Sequence, residues 1–129
     1  MIETVTERQT VMETREIPRN EWTSFFDVFN QQHQGWLATL EVFGPEVGAQ
    51  EEARDLPFEG VSLASSGNEP EAIAISLVRS PEDHLNHTIV KPAHVWLEED
   101  ARLENAAIEI ESADDTKTLM RFRSPLLLK

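Results

Sequence analysis

Residues 16–43, EIPRNEWTSFFDVFNQQHQGWLATLEVF, decide the fold of this chain. They contain a helical pattern followed by a strand pattern. Four aromatic residues recur at spacings of three and four, which places them on one face of a helix; they are Trp22, Phe25, Phe26 and Phe29. After Gly35 the apolar period changes to two, which is typical of a strand with one buried face.

The ends of this helix can be predicted from single residues. Asn20 is of a type that caps helix N-termini, because its side-chain oxygen accepts from free amides of the first turn. Gly35 can adopt the left-handed conformation that ends a helix. His33 lies near that end, where a positive charge is favourable. Since helical spacing is what a core requires, we interpret the aromatic face as core packing and not as a ligand site.

The rest of the chain reads as short strands joined by turns. A turn at residues 44–48 is expected to lead into a charged, exposed or edge strand that Pro57 ends. Residues 72–78 form a nearly continuous apolar run, which predicts a central strand. Residues 79–86 are expected to form a loop, and residues 98–100 a solvated acidic corner.

The last hairpin has a register that can be predicted. A three-residue loop at 113–115 puts Ile108 opposite Met120, whereas a two-residue loop would put Ile108 opposite an arginine. We therefore predict Ser112 opposite Thr116, with the last loop residue left-handed.

Together these patterns predict a single α+β domain. One N-terminal amphipathic helix would pack on a curled, mostly antiparallel sheet or half-barrel of about seven short strands. We expect a poorly ordered arm at residues 1–15, the domain itself at 16–125, and an apolar tail at 126–129. An edge strand through residues 10–12 is the alternative for the arm.

Composition limits the partners and the compartment. The net charge is −13, from 24 acidic and 11 basic residues, which argues against nucleic acid and anionic membranes as partners. There is no cysteine, so disulfides and thiol chemistry are excluded. The first residues are acidic and lack an apolar core, so we expect no signal peptide and a cytoplasmic location. No apolar run approaches the roughly 20 residues that span a membrane.

Histidine is the most suggestive residue type for chemistry. His84, His87 and His94 follow Asp83 closely in sequence, and imidazole and carboxylate are ligands of zinc and similar metals. Their spacing does not match the helical His-Glu-x-x-His signature. We therefore expect no cofactor, and keep a site for zinc or another divalent metal at these four residues as an alternative.

Other catalytic patterns are weak. The sequence contains no Gly-x-Ser-x-Gly elbow and no glycine-rich phosphate loop before a helix. Asp55 and Glu59 flank a corner and could converge as an acid–base pair, but we expect both to be solvated. A basic stripe on the last strand is expected to pair with glutamates across the hairpin; it consists of Lys117, Arg121 and Arg123, facing Glu109 and Glu111.

Several motifs occur in a characteristic order: REIPRNEW, FFDVF, H-x-GW, GAQ-x-EA-x-DLPFEG, H-x-x-HTI-x-x-P, IEIES and T-x-TLMRF. In these the chain resembles an uncharacterised prokaryotic family, domain of unknown function 5335, over about residues 15–122. The resemblance implies no activity and no functional residues. The closing turn of that family tends to be Asp-Gly, where this chain has Asp114-Asp115.

Our leading hypothesis is a non-enzymatic binding or interaction protein. We expect a homodimer formed through the apolar tail or an edge strand. One alternative is a metal-dependent enzyme or metal-binding protein that uses the histidine cluster. Another is a structural or stress-protective acidic protein.

Overall fold

The computed structural model describes residues 12–46, 48–64, 71–100 and 105–124. Within them lie eight strands, one α-helix and a 3-10 turn at Arg19–Glu21. Helix α1 spans Trp22–Gln32. The strands are β1 Met12–Ile17, β2 Leu37–Gly44, β3 Gly48–Ala64, β4 Ala72–Ser80, β5 Asp83–Val90, β6 Pro92–Asp100, β7 Asn105–Ser112 and β8 Lys117–Arg123. No helix in these ranges is long and apolar enough to cross a membrane.

All eight strands belong to one antiparallel sheet with the order β1-β6-β7-β8-β2-β3-β4-β5. Among the described strands β1 and β5 are the outermost, so the sheet does not close on itself. β3 changes partner at Pro57, and each of its two parts pairs with one neighbour only. Most neighbours follow one another in sequence, but β1 lies beside β6 and β2 lies beside β8.

The predicted fold class was wrong in two respects. The helix is internal, because β1 precedes it and pairs with β6, and the sheet has eight strands instead of about seven. The missed strand has no apolar alternation, since residues 13–16 are exposed and only Ile17 is buried. β1 begins at Met12, inside the stretch for which we predicted poor order. Residues 1–11 and the predicted tail at 126–129 lie outside the described residues.

Strand β3 differs most from the prediction. It runs through Pro57 without ending, which contradicts the predicted stop. Its first part pairs only with β2 and is mostly exposed, as predicted for an exposed or edge strand, and its second part pairs with β4. Pro57 removes only one backbone N–H from the strand. The next residue already makes a backbone hydrogen bond again, since Phe58 N donates to Trp36 O at 2.7 Å. The predicted loop at 79–86 was also too long, because β5 already begins at Asp83.

Helix α1 packs on the inner face of the sheet, mainly against β3. Trp22, Phe26 and Phe29 are buried, which confirms the core interpretation of the aromatic face. The ring of Phe29 meets the edges of Phe58 and Phe122, with ring centroids 5.9 and 5.0 Å apart. These contacts join helix and sheet into one hydrophobic core.

Polar contacts fix the position of the helix. Trp22 Nε1 donates to Ile17 O at 2.9 Å, which ties the helix to β1. Asn30 binds both backbone groups of one β3 residue: its Nδ2 donates to Val61 O at 2.8 Å, and its Oδ1 accepts from Val61 N at 3.0 Å. The predicted N-cap was wrong, because Asn20 lies in the 3-10 turn.

The last hairpin confirms its predicted register. Ile108 pairs with Met120, Ser112 N donates to Thr116 O at 2.8 Å, and Asp115 has φ 70°.

Two titratable residues, Asp100 and His33, are buried. Asp100 is buried and accepts from Asn105 Nδ2 at 2.9 Å, so residues 98–100 are not simply a solvated corner. His33 lies at the helix C-terminus as predicted, but desolvation by burial lowers its pKa, so the expected positive charge is disfavoured.

Candidate functional site

A charged cleft lies on the outer face of the sheet, across β8, β2 and β3. Its position follows from strand alternation. Ala38, Leu40, Met120 and Phe122 point into the core, so the residues between them point outward. The outward residues of β2 and β8, together with side chains of β3 and β7, line a cavity of about 460 Å³. The polar residues of its lining are Thr39, Glu41, Glu51, Arg54, Asp55, Asn105, Arg121 and Arg123.

A β-bulge shapes one wall of this cleft. Ala38 pairs with Leu56 and Leu40 pairs with Ala53, so two residues of β3 lie opposite the single residue Thr39. The second bulge residue, Asp55, is left-handed with φ 52°, a conformation that disfavours most side chains. Its backbone N–H donates to Thr39 Oγ1 at 3.2 Å.

Three arginine–carboxylate pairs line the cleft. Arg121 Nη1 lies 2.6 Å from Glu41 Oε1, and Arg123 Nη2 lies 3.0 Å from Asp55 Oδ2. The third pair, Arg54 and Glu51, is held by several contacts, with Nη2 to Oε1 at 2.8 Å and Nε to Oε2 at 3.0 Å.

The predicted partners of the two arginines in the basic stripe were therefore wrong, whereas Lys117 lies opposite Glu111 as the predicted register requires. Arg121 and Arg123 bind carboxylates on β2 and β3, on the other side of β8 from Glu109 and Glu111. The sequence indicated the arginines but not their partners, because the neighbour of β8 on that side comes from the first half of the chain.

In two of the three pairs the arginine is clearly the more exposed member, and Arg123 and Asp55 are similarly exposed. The Arg121 side chain is 56% exposed against 24% for Glu41, and Arg54 is 72% exposed against 36% for Glu51. A molecule that enters the cleft therefore meets guanidinium groups first. Each guanidinium has five N–H donors in a planar fork that matches carboxylate and phosphate oxygens.

Glu51, on the acidic side of the cleft, is unsuited to donating a proton. Hydrogen bonds from Arg54 lower the pKa of Glu51 and raise that of the guanidinium, so both stay charged at neutral pH. A general acid needs a carboxyl whose pKa is raised, as in an apolar pocket. The arrangement at Glu51 favours binding of ions over proton transfer.

The structure separates the histidines of the predicted metal site. His84 and His87 lie on the edge strand β5, whereas His94 lies on β6, near the opposite edge. His84 Nδ1 lies 3.0 Å from Glu59 Oε1, and His94 Nδ1 lies 2.7 Å from Glu16 Oε2. His84 and His94 thus contact two different carboxylates.

The other two predicted ligands have separate surroundings as well. Asp83 contacts Arg79, with Nη1 and Oδ2 3.4 Å apart. His87 is partly buried, and desolvation lowers its pKa. In the part of the chain that the structure describes, no three or more His, Cys, Asp or Glu side chains are grouped so that they could hold a metal ion.

A second polar cluster joins Ser76, Glu59 and His84. Glu59 Oε1 accepts from the Ser76 hydroxyl and also contacts His84 Nδ1. These bonds lower the pKa of Glu59. Here the carboxylate lies between the serine and the histidine. In a catalytic triad the histidine lies between them and takes the serine proton. Glu59 also has different partners from Asp55, so the two carboxylates do not act as the acid–base pair considered above.

Fold and cleft together define an antiparallel α+β domain with a charged outer face. The chain belongs to the family of unknown function DUF5335, whose model matches residues 13–129. An uncharacterized protein of Aquifex aeolicus (strain VF5) is 26% identical over 118 residues, covering 91% of this chain and 98% of that protein. No solved structure gives a significant match.

Proposed function

We propose that this protein is a non-enzymatic binding domain, and that its cleft takes a small anion bearing carboxylate or phosphate groups. The observation that carries the proposal is the convergence of Arg54, Arg121 and Arg123 on one cavity in a chain of net charge −13. Arginine pairs well with such groups, because two parallel N–H donors reach two oxygens at once.

The dimensions and charges of the cleft support a small ligand. Its volume of about 460 Å³ lies in the range of small-molecule pockets. The three carboxylates balance the charges of the three arginines. Glu41 and Glu51 are less exposed than their arginines, and Asp55 is about as exposed as Arg123. They hold the guanidinium groups in place, and an incoming anion would bind the donors left free. Fixing the arginines in advance reduces the entropy that binding costs.

The test is a titration of uniformly ¹⁵N-labelled protein with inorganic phosphate and, separately, with succinate at constant ionic strength. We expect saturable shifts of the arginine Nε–H signals and of the amides around Thr39 and Asp55. The variant Arg121→Gln/Arg123→Gln should weaken the binding of the active probe at least tenfold. Loss of two charge-assisted contacts accounts for that size of effect.

The matched control is Arg79→Gln, which removes an arginine that also contacts a carboxylate but lies outside the cleft. It should bind the probe as the unaltered protein does. The proposal fails if neither anion gives a saturable shift, or if the double variant binds as tightly as the control.

A further inference from the structure

Strand β5 forms an open edge of the sheet. It pairs with β4 on one side, and among the described residues no strand or helix covers its other side. In an antiparallel strand every second residue points both of its backbone groups toward the same neighbour. About half of the residues of β5 therefore present a free N–H and a free C=O outward. Such a row is a template for another strand.

The side chains of β5 do little to prevent such pairing. From His84 to Val90 the sequence HLNHTIV has no lysine, arginine, carboxylate or proline, although 27% of the chain is charged. The opposite edge, β1, is different, because Glu13, Arg15 and Glu16 are charged. Natural edge strands commonly carry charges that discourage association. β5 is thus the less protected of the two edges.

We propose that β5 pairs antiparallel with β5 of a second copy of this chain, with His87 on the two-fold axis. The faces of the strand limit the register. Leu85, His87 and Ile89 lie on the inner face, and the residues between them are exposed on the outer face. Opposite residues in a sheet point to the same side. The centre must therefore fall on a residue and not between two residues.

Centring on His87 gives the most favourable contacts. Leu85 of one copy then faces Ile89 of the other, which continues the apolar inner face across the junction. Centring one residue earlier, on Asn86, would instead put Asp83 opposite Ile89.

The two His87 rings meet at the axis without like charge near neutral pH, because desolvation lowers the pKa of this imidazole. On the outer face the register puts Asn86 of one copy opposite Thr88 of the other, and both residues are exposed. These two positions can carry substitutions that report on the pairing and do not disturb the core.

The experiment is sedimentation equilibrium of the full chain and two double variants. The unaltered protein should have twice the chain mass of 14.7 kDa. Asn86→Glu/Thr88→Glu places like charges opposite one another twice and should sediment as a monomer. Asn86→Lys/Thr88→Glu places opposite charges at the same positions and should remain a dimer.

The charge control is Thr23→Glu/Gln31→Glu on the exposed face of the helix, which changes the net charge as the first variant does. It should remain a dimer, and circular dichroism should show all variants folded. The proposal is overturned if the unaltered protein is a monomer. It is also overturned if Asn86→Glu/Thr88→Glu stays dimeric, or if the Lys/Glu variant dissociates while folded.

Discussion

His33 is a buried histidine enclosed by aromatic rings at the end of the helix. It stacks on Phe29 with ring centroids 3.9 Å apart and meets Trp36 at 4.5 Å. Its Nδ1 lies 2.9 Å from Phe29 O, and since a carbonyl only accepts, Nδ1 carries the proton of the neutral ring. Protonation of the second nitrogen would put a charge in an apolar surrounding.

This histidine should make the fold sensitive to acid. Burial lowers the pKa of His33 below its ordinary value of 6.5. The unfolded chain then binds more protons than the folded one, so the free energy of unfolding falls as the pH drops through the unfolded pKa. The full loss is about 1.4 kcal/mol for each unit of pKa difference.

Urea unfolding between about pH 7 and about pH 5 tests this prediction. The fall in stability should be smaller in His33→Gln, although a part remains because burial also lowers the pKa of His87. The contrast is His94→Gln. Glu16 raises the pKa of His94, so this residue adds stability at low pH that is lost as the pH rises. Its replacement should steepen the fall; an unchanged slope in His33→Gln would contradict the account.

Helix α1 gives a test at the scale of one element. Phe29 is 3% exposed and touches rings from two strands, whereas its neighbour Val28 is 51% exposed. Phe29→Ala should lower the free energy of unfolding by about 3–5 kcal/mol, because it leaves a cavity in the core. Val28→Ala should change it by no more than about 0.5 kcal/mol. Both free energies are measured by urea unfolding. A similar decrease in the two variants would show that the aromatic face of the helix does not pack in the core.

Local patterns were sufficient for some elements and insufficient for others. The helix face and the last hairpin were predictable, because spacing and turn residues within a few positions determine them. β1 was missed because it is held by backbone pairing at an edge, where its side chains need no apolar period. The continuity of β3 was missed because its second partner, β4, decides it. The arginine partners in the cleft depend on strand order, which single-strand patterns do not contain.

At the scale of the whole molecule, the strand order predicts slow folding. Ile17 pairs with Val95, and Leu37 pairs with Arg123, so long loops must close before these contacts form. Sheets with such distant pairings fold in milliseconds to seconds, whereas helical proteins of similar size often fold in microseconds. Stopped-flow refolding followed by tryptophan fluorescence measures this, since Trp22 is buried. Refolding complete within microseconds would contradict it.

The location of β8 has a consequence for synthesis of the protein. This strand lies between β7 and β2, so it alone joins the group β1-β6-β7 to the group β2-β3-β4-β5 in the sheet. It is also the last of the described strands to leave the ribosome. Any sheet that forms before β8 is available would leave β7 and β2 each without the neighbour that β8 provides. During translation these edges are the places where a chaperone or a misdirected neighbour would bind first.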